Sequence, residues 1–228
     1  MPTVDLANVP VRELNAALHR LRADTNETHW RVANPRGRHS IAAGIDAPVM
    51  VEVEGHVGYY CAGMNKHATV VVYGNAGQGV AENMMSGRVH VKGDASQAAG
   101  ATGCGGLLVI DGNASARCGI SMKGIDIVVK GSVGHLSAFM AQAGNLVVLG
   151  NAGEALGDSI YEAHLYVRGT VKSLGADCVE KPLEDRHRLE LCKLLTAAGV
   201  NGADLDEFRR YGSARRLYHF HIDNVGSY

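Results

Sequence analysis

The sequence predicts an all-β solenoid, a right-handed parallel β-helix of about seven to eight 19-residue coils with short α-helical caps at both ends. Three observations predict it. Glycine accounts for 29 of 228 residues while aromatics are only 5%, a bias that points to repetition or disorder. The hydrophobic fraction is an ordinary 46%, which argues against disorder. Third, Gly55, Gly74, Gly93, Gly112, Gly131, Gly150 and Gly169 form a ladder in which every step is 19 residues.

Each ladder glycine closes a short apolar run. Val51/Val53, Val70/Val72, Val89/Val91, Leu108/Ile110, Ile127/Val129, Leu146/Val148 and Leu165/Val167 stand four and two places before it. A period of two, rich in β-branched residues, is the pattern of a strand that buries one face. Small or β-branched residues follow two places after each glycine, from Val57 through Ala76, Ala95 and Ala114 to Val171. Hairpin loops vary freely in length, so an unvarying period means that each unit stacks on a copy of itself. Stacking at about 4.8 Å per coil makes the seven coils roughly 30 Å long. The ladder glycines are the expected turn residues, placed at corners that need positive φ. The alternate positions of the runs are mixed (Glu52/Glu54, His90/Lys92, Val109/Asp111, Val128/Lys130), so the outer face is expected to be at least partly wet. A half-matching unit around Gly37 adds an irregular eighth coil.

Open solenoid ends are unpaired sheet edges and need cover. Residues 9–21 supply one helix, with Pro10 in its first turn and Val11, Leu14, Leu18 and Leu21 on one face. Pro182 precedes a second amphipathic stretch, 183–198, and a shorter helix is expected over 204–210. The rest of the C-terminus reads as an extended arm. The domain organisation is therefore an N-terminal helical cap over 1–35, the β-helix over 36–181, and C-terminal helices with the arm over 182–228.

Charge and composition narrow the function. Lys+Arg 22 against Asp+Glu 23 leaves a net charge of −1, so neither nucleic acid nor an anionic membrane is the expected partner. No apolar run is long enough to span a bilayer and no secretory signal opens the chain. The five cysteines are scattered, which suits reduced thiols in the cytoplasm. Neither catalytic, cofactor-binding nor metal residues emerge. His56, His67, His90, His135 and His164 stand at different phases of the repeat, which fits surface or interface histidines better than ligands from adjacent coils. The segments Gly74–Gly79 and Gly103–Gly106 have no following helix and lack a phosphate-loop context. The least expected polar insertion is Asn65, Lys66 and His67, a candidate contact for a ligand or partner. Arg215, Arg216, Tyr218 and Phe220 make the C-terminal arm either a docking element or a strap on its own solenoid, since Arg and aromatic residues favour interface cores.

The run VVVYGNAGQGVAENMMSGRVHVKGDASQAAGATGCGG resembles the GXGXG β-helix family over roughly residues 36–181. That family includes the C-terminal domain of glutamate synthase large subunits and the β-helix subunit of formylmethanofuran dehydrogenases. With GYYCAGMNKH, AENMMSG and EFRRYGSARRLYHFH, the chain is most similar to the small glutamate-synthase-like subunits of N-methylglutamate synthases. The resemblance implies a non-catalytic scaffold that joins an amidotransferase-like subunit and an FMN-binding synthase-like subunit. The assembly would convert methylamine and glutamate to N-methylglutamate and ammonia, with FMN and an iron–sulfur cluster on a partner. Two alternatives are a β-helix subunit of a formylmethanofuran-dehydrogenase-like complex and a stand-alone small-molecule binding module.

Overall fold

The computed structural model describes residues 1–217, so Tyr218 and Phe220 lie outside the described residues. Strands β1 (Thr3–Asp5), β2 (His29–Ala33), β3 (Met50–Val53), β4 (Thr69–Val72), β5 (Arg88–Val91), β6 (Leu107–Ile110), β7 (Lys123–Val129), β8 (Ala143–Val148) and β9 (His164–Val167) stack in chain order as parallel neighbours of one sheet. From β3 to β9 the register steps by 19 residues, as in Val51↔Val70 and Ile127↔Leu146. A second, one-residue-wide ladder joins Val57, Ala76, Ala95, Ala114, Val133, Ala152 and Val171. The inward side chains of both rows form a continuous core that Ile41, Met84, Met122 and Ile160 complete. The parallel β-helix is thus present as predicted, and the unit around Gly37 is a true coil with Ile41 and Ala42 buried.

Only Gly55 of the seven ladder glycines has positive φ, at 134°, so the expected reason for the ladder is corrected. These glycines stand at bends where one coil lies directly on the next. Gly112 N–H donates to Gly93 O at 3.0 Å and Gly131 N–H to Gly112 O at 2.9 Å. A Cβ on Gly150 would sit 2.7 Å from the carbonyl carbon and oxygen of Gly131, closer than packed atoms tolerate. The residue after each ladder glycine braces the same stack. Asp94 N–H donates to Asn75 Oδ1 (3.0 Å), Asn113 N–H to Asp94 Oδ1 (2.7 Å), Ser132 N–H to Asn113 Oδ1 (2.9 Å) and Thr170 N–H to Asn151 Oδ1 (2.9 Å).

Positive φ falls elsewhere, in three rows at alternate positions of the third side. Ser40, Ala42 and Gly44 open the rows, which end at Ala155, Gly157 and Ser159, and φ within them runs from 52° to 71°. Left-handed backbone costs about 1 kcal/mol or more at a non-glycine residue. The rows persist because successive N–H groups are bonded in opposite directions. Tyr60 N–H goes forward to Gln78 O, Ala62 N–H back to Ile41 O, and Met64 N–H forward to Glu82 O.

Helix α1 (Val11–His19) covers the N-terminal end with Leu14 and Leu18 buried. Its Asn15 side chain stands in for a missing coil, donating to Ser40 O at 2.7 Å and accepting from Ala42 N–H at 3.0 Å. The other end is built differently from the expectation. Helix α2 (Asp185–Ala197) lies on the outer face of the sheet, where Leu191, Leu194 and Leu195 pack with Val109, Val128, Val147 and Tyr166. That stretch of outer face is therefore dry. The expected helix over 204–210 is a single 3-10 turn, Leu205–Glu207, because β11 (Arg209–Ser213) follows immediately. Strand β11 takes the end of that expected helix and the start of the arm and straps them onto the solenoid, pairing antiparallel with β9 and with β10 (Cys178–Lys181), and so occupies the edge that the last coil leaves.

Candidate functional site

The outer face of the sheet has two parts. Along the column Glu52, Val71, His90, Val109, Val128, Val147, Tyr166, the last four residues are fully buried beneath α2. Over β3 to β5 no element of the described residues covers the face, and its side chains pair among themselves. Glu52 accepts from Tyr73 Oη at 2.6 Å and lies 2.7 Å from His29 Nε2. Those two hydrogen bonds, Tyr73 first, hold the Glu52 carboxyl below its ordinary value, and the bond to Glu52 pushes the Tyr73 phenol up. Arg31 Nε donates to Glu54 Oε1 at 2.6 Å. At the border, Asp111 is 2.9 Å from His90 Nε2 and 2.8 Å from Lys130 Nζ. Burial lowers the His90 pKa despite that carboxylate. Arg88 Nη1 donates to Ala197 O at 2.8 Å, pinning the C-terminus of α2 where a cation suits the helix dipole.

A second feature lies where α2, β9 and β11 meet. A cavity of about 410 Å³ is lined there by, among others, Lys181, Arg186, His187, Glu190 and Arg210. Glu190 accepts from Tyr166 Oη at 2.7 Å and is 3.1 Å from His164 Nδ1. Burial raises the Glu190 carboxyl, but the Tyr166 and His164 hydrogen bonds outweigh it and the net shift is downward. His187, 2% exposed, accepts from Glu184 N–H at 3.2 Å through Nδ1. Burial, then the Arg210 charge, lowers its pKa. No spacing rule joins residues from the 160s, 180s and 210s, so the sequence carries no signal for this cavity.

The residues singled out in sequence fare unequally. Asn65 is 0% exposed and cannot contact a partner from this position. Its Nδ2 donates to Ala68 O (2.8 Å) and Ser86 O (3.1 Å), so it braces one coil on the next. Lys66 is exposed and paired with Asp46 at 3.0 Å, and His67 is exposed beside the same carboxylate. Arg215 pairs with Glu162 at 2.7 Å, and the Arg216 N–H donates to Asp177 Oδ1 at 2.9 Å. The Lys66–His67 corner stands beside β4 and the arginines beside β9, five strand spacings or about 24 Å apart. The two patches do not form one site. No three His, Cys, Asp or Glu side chains gather as a metal site among the described residues, and no described helix is long and apolar enough to cross a membrane.

Cysteine placement bears on an iron–sulfur cluster, which needs convergent thiolates. Cys61, Cys118 and Cys178 are buried on separate coils, and burial pushes each thiol up to about 12. Cys104 and Cys192 are exposed at a turn and on α2. This set does not fit a cluster.

No protein-family model matches the chain. A curated relative does: Protein GlxC of Rhizobium meliloti (strain 1021) is 64% identical over 228 residues, with 100% of both chains covered. At that identity over the full length of both chains, this protein is a member of the GlxC family.

Proposed function

We propose that the chain is a non-catalytic structural subunit of a glutamate-synthase-like enzyme, namely an N-methylglutamate synthase. In this reading it holds an amidotransferase-like subunit and an FMN-binding subunit at a fixed separation. FMN and the iron–sulfur cluster reside on partners, in keeping with cysteines that do not converge on this chain. The observation that carries the reading is a continuous eleven-strand sheet whose outer face is sealed by α2 over its later strands and, among the described residues, uncovered over β3 to β5. Backbone ladders resist bending, and an open sheet flank with Tyr73, Glu52 and Lys92 offers a long surface with both charges and an aromatic side chain. The resemblance of the repeat to the GXGXG β-helices supplies the identity of the partners.

The test is affinity purification of the tagged full chain from its native lysate, with mass spectrometry and a flavin absorbance scan. Co-purification of an amidotransferase-like chain and a yellow FMN-bearing chain is the expected result. A molybdopterin or tungstopterin enzyme in their place would move the chain to the formylmethanofuran branch. Recovery of the chain alone and colourless would overturn the scaffold reading.

A further inference from the structure

The cavity between α2, β9 and β11 is lined by two cations, Lys181 and Arg210, that have no ion-pair partner among the described residues. Lys181 and Arg210 are direct cross-strand partners in the β10–β11 pair. Like charges placed opposite each other in a sheet repel. Arg210 is 9% exposed, and its one side-chain hydrogen bond among the described residues runs from Nε to Pro182 O at 2.9 Å. No carboxylate of the described residues lies within ion-pair distance of either cation. Of the cavity's carboxylates, Glu162 is paired with Arg215 at 2.7 Å, while Glu190, held by Tyr166 Oη at 2.7 Å, keeps its charge and, with Glu184, acts on Arg210 only from beyond ion-pair distance. Burying a guanidinium without an anion is costly, and desolvation lowers the Arg210 pKa accordingly. His187 adds a donor, because an Nδ1 that accepts from Glu184 N–H leaves the proton of the neutral ring on Nε2.

We propose that this cavity binds a small oxyanion, a carboxylate or phosphate group, between Arg210 and Lys181 with His187 as a third donor. A guanidinium presents paired N–H groups that match either anion, and about 410 Å³ is the size of a small-metabolite site. The scaffold reading does not require this site, and the site does not require the scaffold reading.

Thermal unfolding of the full chain tests it, with inorganic phosphate or succinate added and sodium chloride matching the ionic strength. The expected result is a saturable rise in midpoint of about 3–6 °C at tenfold excess over the dissociation constant, with one or both anions. The anion that acts names the class. Lys181→Gln is expected to abolish the rise and, by relieving the repulsion, to raise the midpoint in chloride alone. Arg210→Gln should also abolish the rise, while Lys66→Gln, at the distant corner, should retain it. Should Arg210→Gln fold poorly, Lys181→Gln decides alone. A midpoint that neither anion moves beyond matched chloride, or a full rise retained in Lys181→Gln, overturns the proposal.

Discussion

Strands β3 to β5 and β6 to β9 present the same inner face and opposite outer ones. Inside, both stretches alternate Val, Leu and Ile with the same phase and stack on the same glycine ladder. Outside, Glu52, Val71 and His90 give way to Val109, Val128, Val147 and Tyr166, and only the second group is covered by a helix. The inner column dictates that a coil forms and the outer column dictates what may lie on it. The two columns vary independently, since alternate residues of a strand face opposite sides. A solenoid can thus change its docking partners along its length without altering its core.

Removing apolar bulk from each half in turn is the sharpest challenge to this contrast. Leu191→Ala beneath the covered half should lower unfolding free energy by about 2–5 kcal/mol, read by urea titration. Val71→Ala on the open half, where the side chain is half-buried, should cost about 1 kcal/mol or less. Equal losses would show that both halves are sealed in solution. The next effect concerns what the halves share. Gly150→Ala must push two coils apart and should destabilise by about 1–3 kcal/mol. In contrast, Gly199→Ala has open space around it and only its φ of +73° to strain, so it should cost about 1 kcal/mol.

The smallest effect is a pH dependence at the border and beneath α2. His90 and His187 both have lowered pKa values, chiefly from burial. Asp111 opposes the shift at His90, where Lys92 and Arg88 assist it. Glu184 opposes it at His187, where Arg210, His164 and Arg186 assist. Each ring binds a proton less readily folded than unfolded, so unfolding takes up protons and stability falls as pH drops below the ordinary imidazole value near 6.5. His90→Gln with His187→Gln should flatten the fall in melting temperature between about pH 7 and pH 5.5, with full carboxylate ionisation common to both proteins. An unchanged slope would locate the proton uptake elsewhere.

Much of the solenoid is legible in the sequence because its inner ladder is written in residue type at constant spacing. The ladder glycines stand out, but their purpose does not, since contact between coils and positive φ select the same residue. The polar column after them, from His56 through Asn75 and Asp94 to Thr170, is equally periodic, yet its varied residue types disguise one shared role. The rows of left-handed backbone are only broken traces in the sequence, because Gly79, Gly100 and Gly119 favour that conformation while Tyr60, Leu136 and Met140 in the same rows do not. Strand β11 hides in Arg209–Ser213, whose charges and glycine resemble a loop. Asn65 looks like an exposed polar insertion, although its amide serves buried carbonyls. Arg215 can be placed on the arm but its partner Glu162 cannot, and the cavity depends on three distant segments that only folding assembles.

The glycine-on-glycine contacts and the paired turn rows together fix how the molecule can change size. Deleting a single residue from a ladder strand would shift its register and turn its inner side chains outward, whereas the corners absorb single residues, as the 20-residue step Asp46↔Lys66 and the 18-residue step Leu156↔Leu174 show. Whole coils can be added or removed, each moving the ends by one strand spacing of about 4.8 Å. The chain is therefore graduated like a ruler, in marks of 19 residues, and any pair of surfaces it separates can be tuned only in those steps.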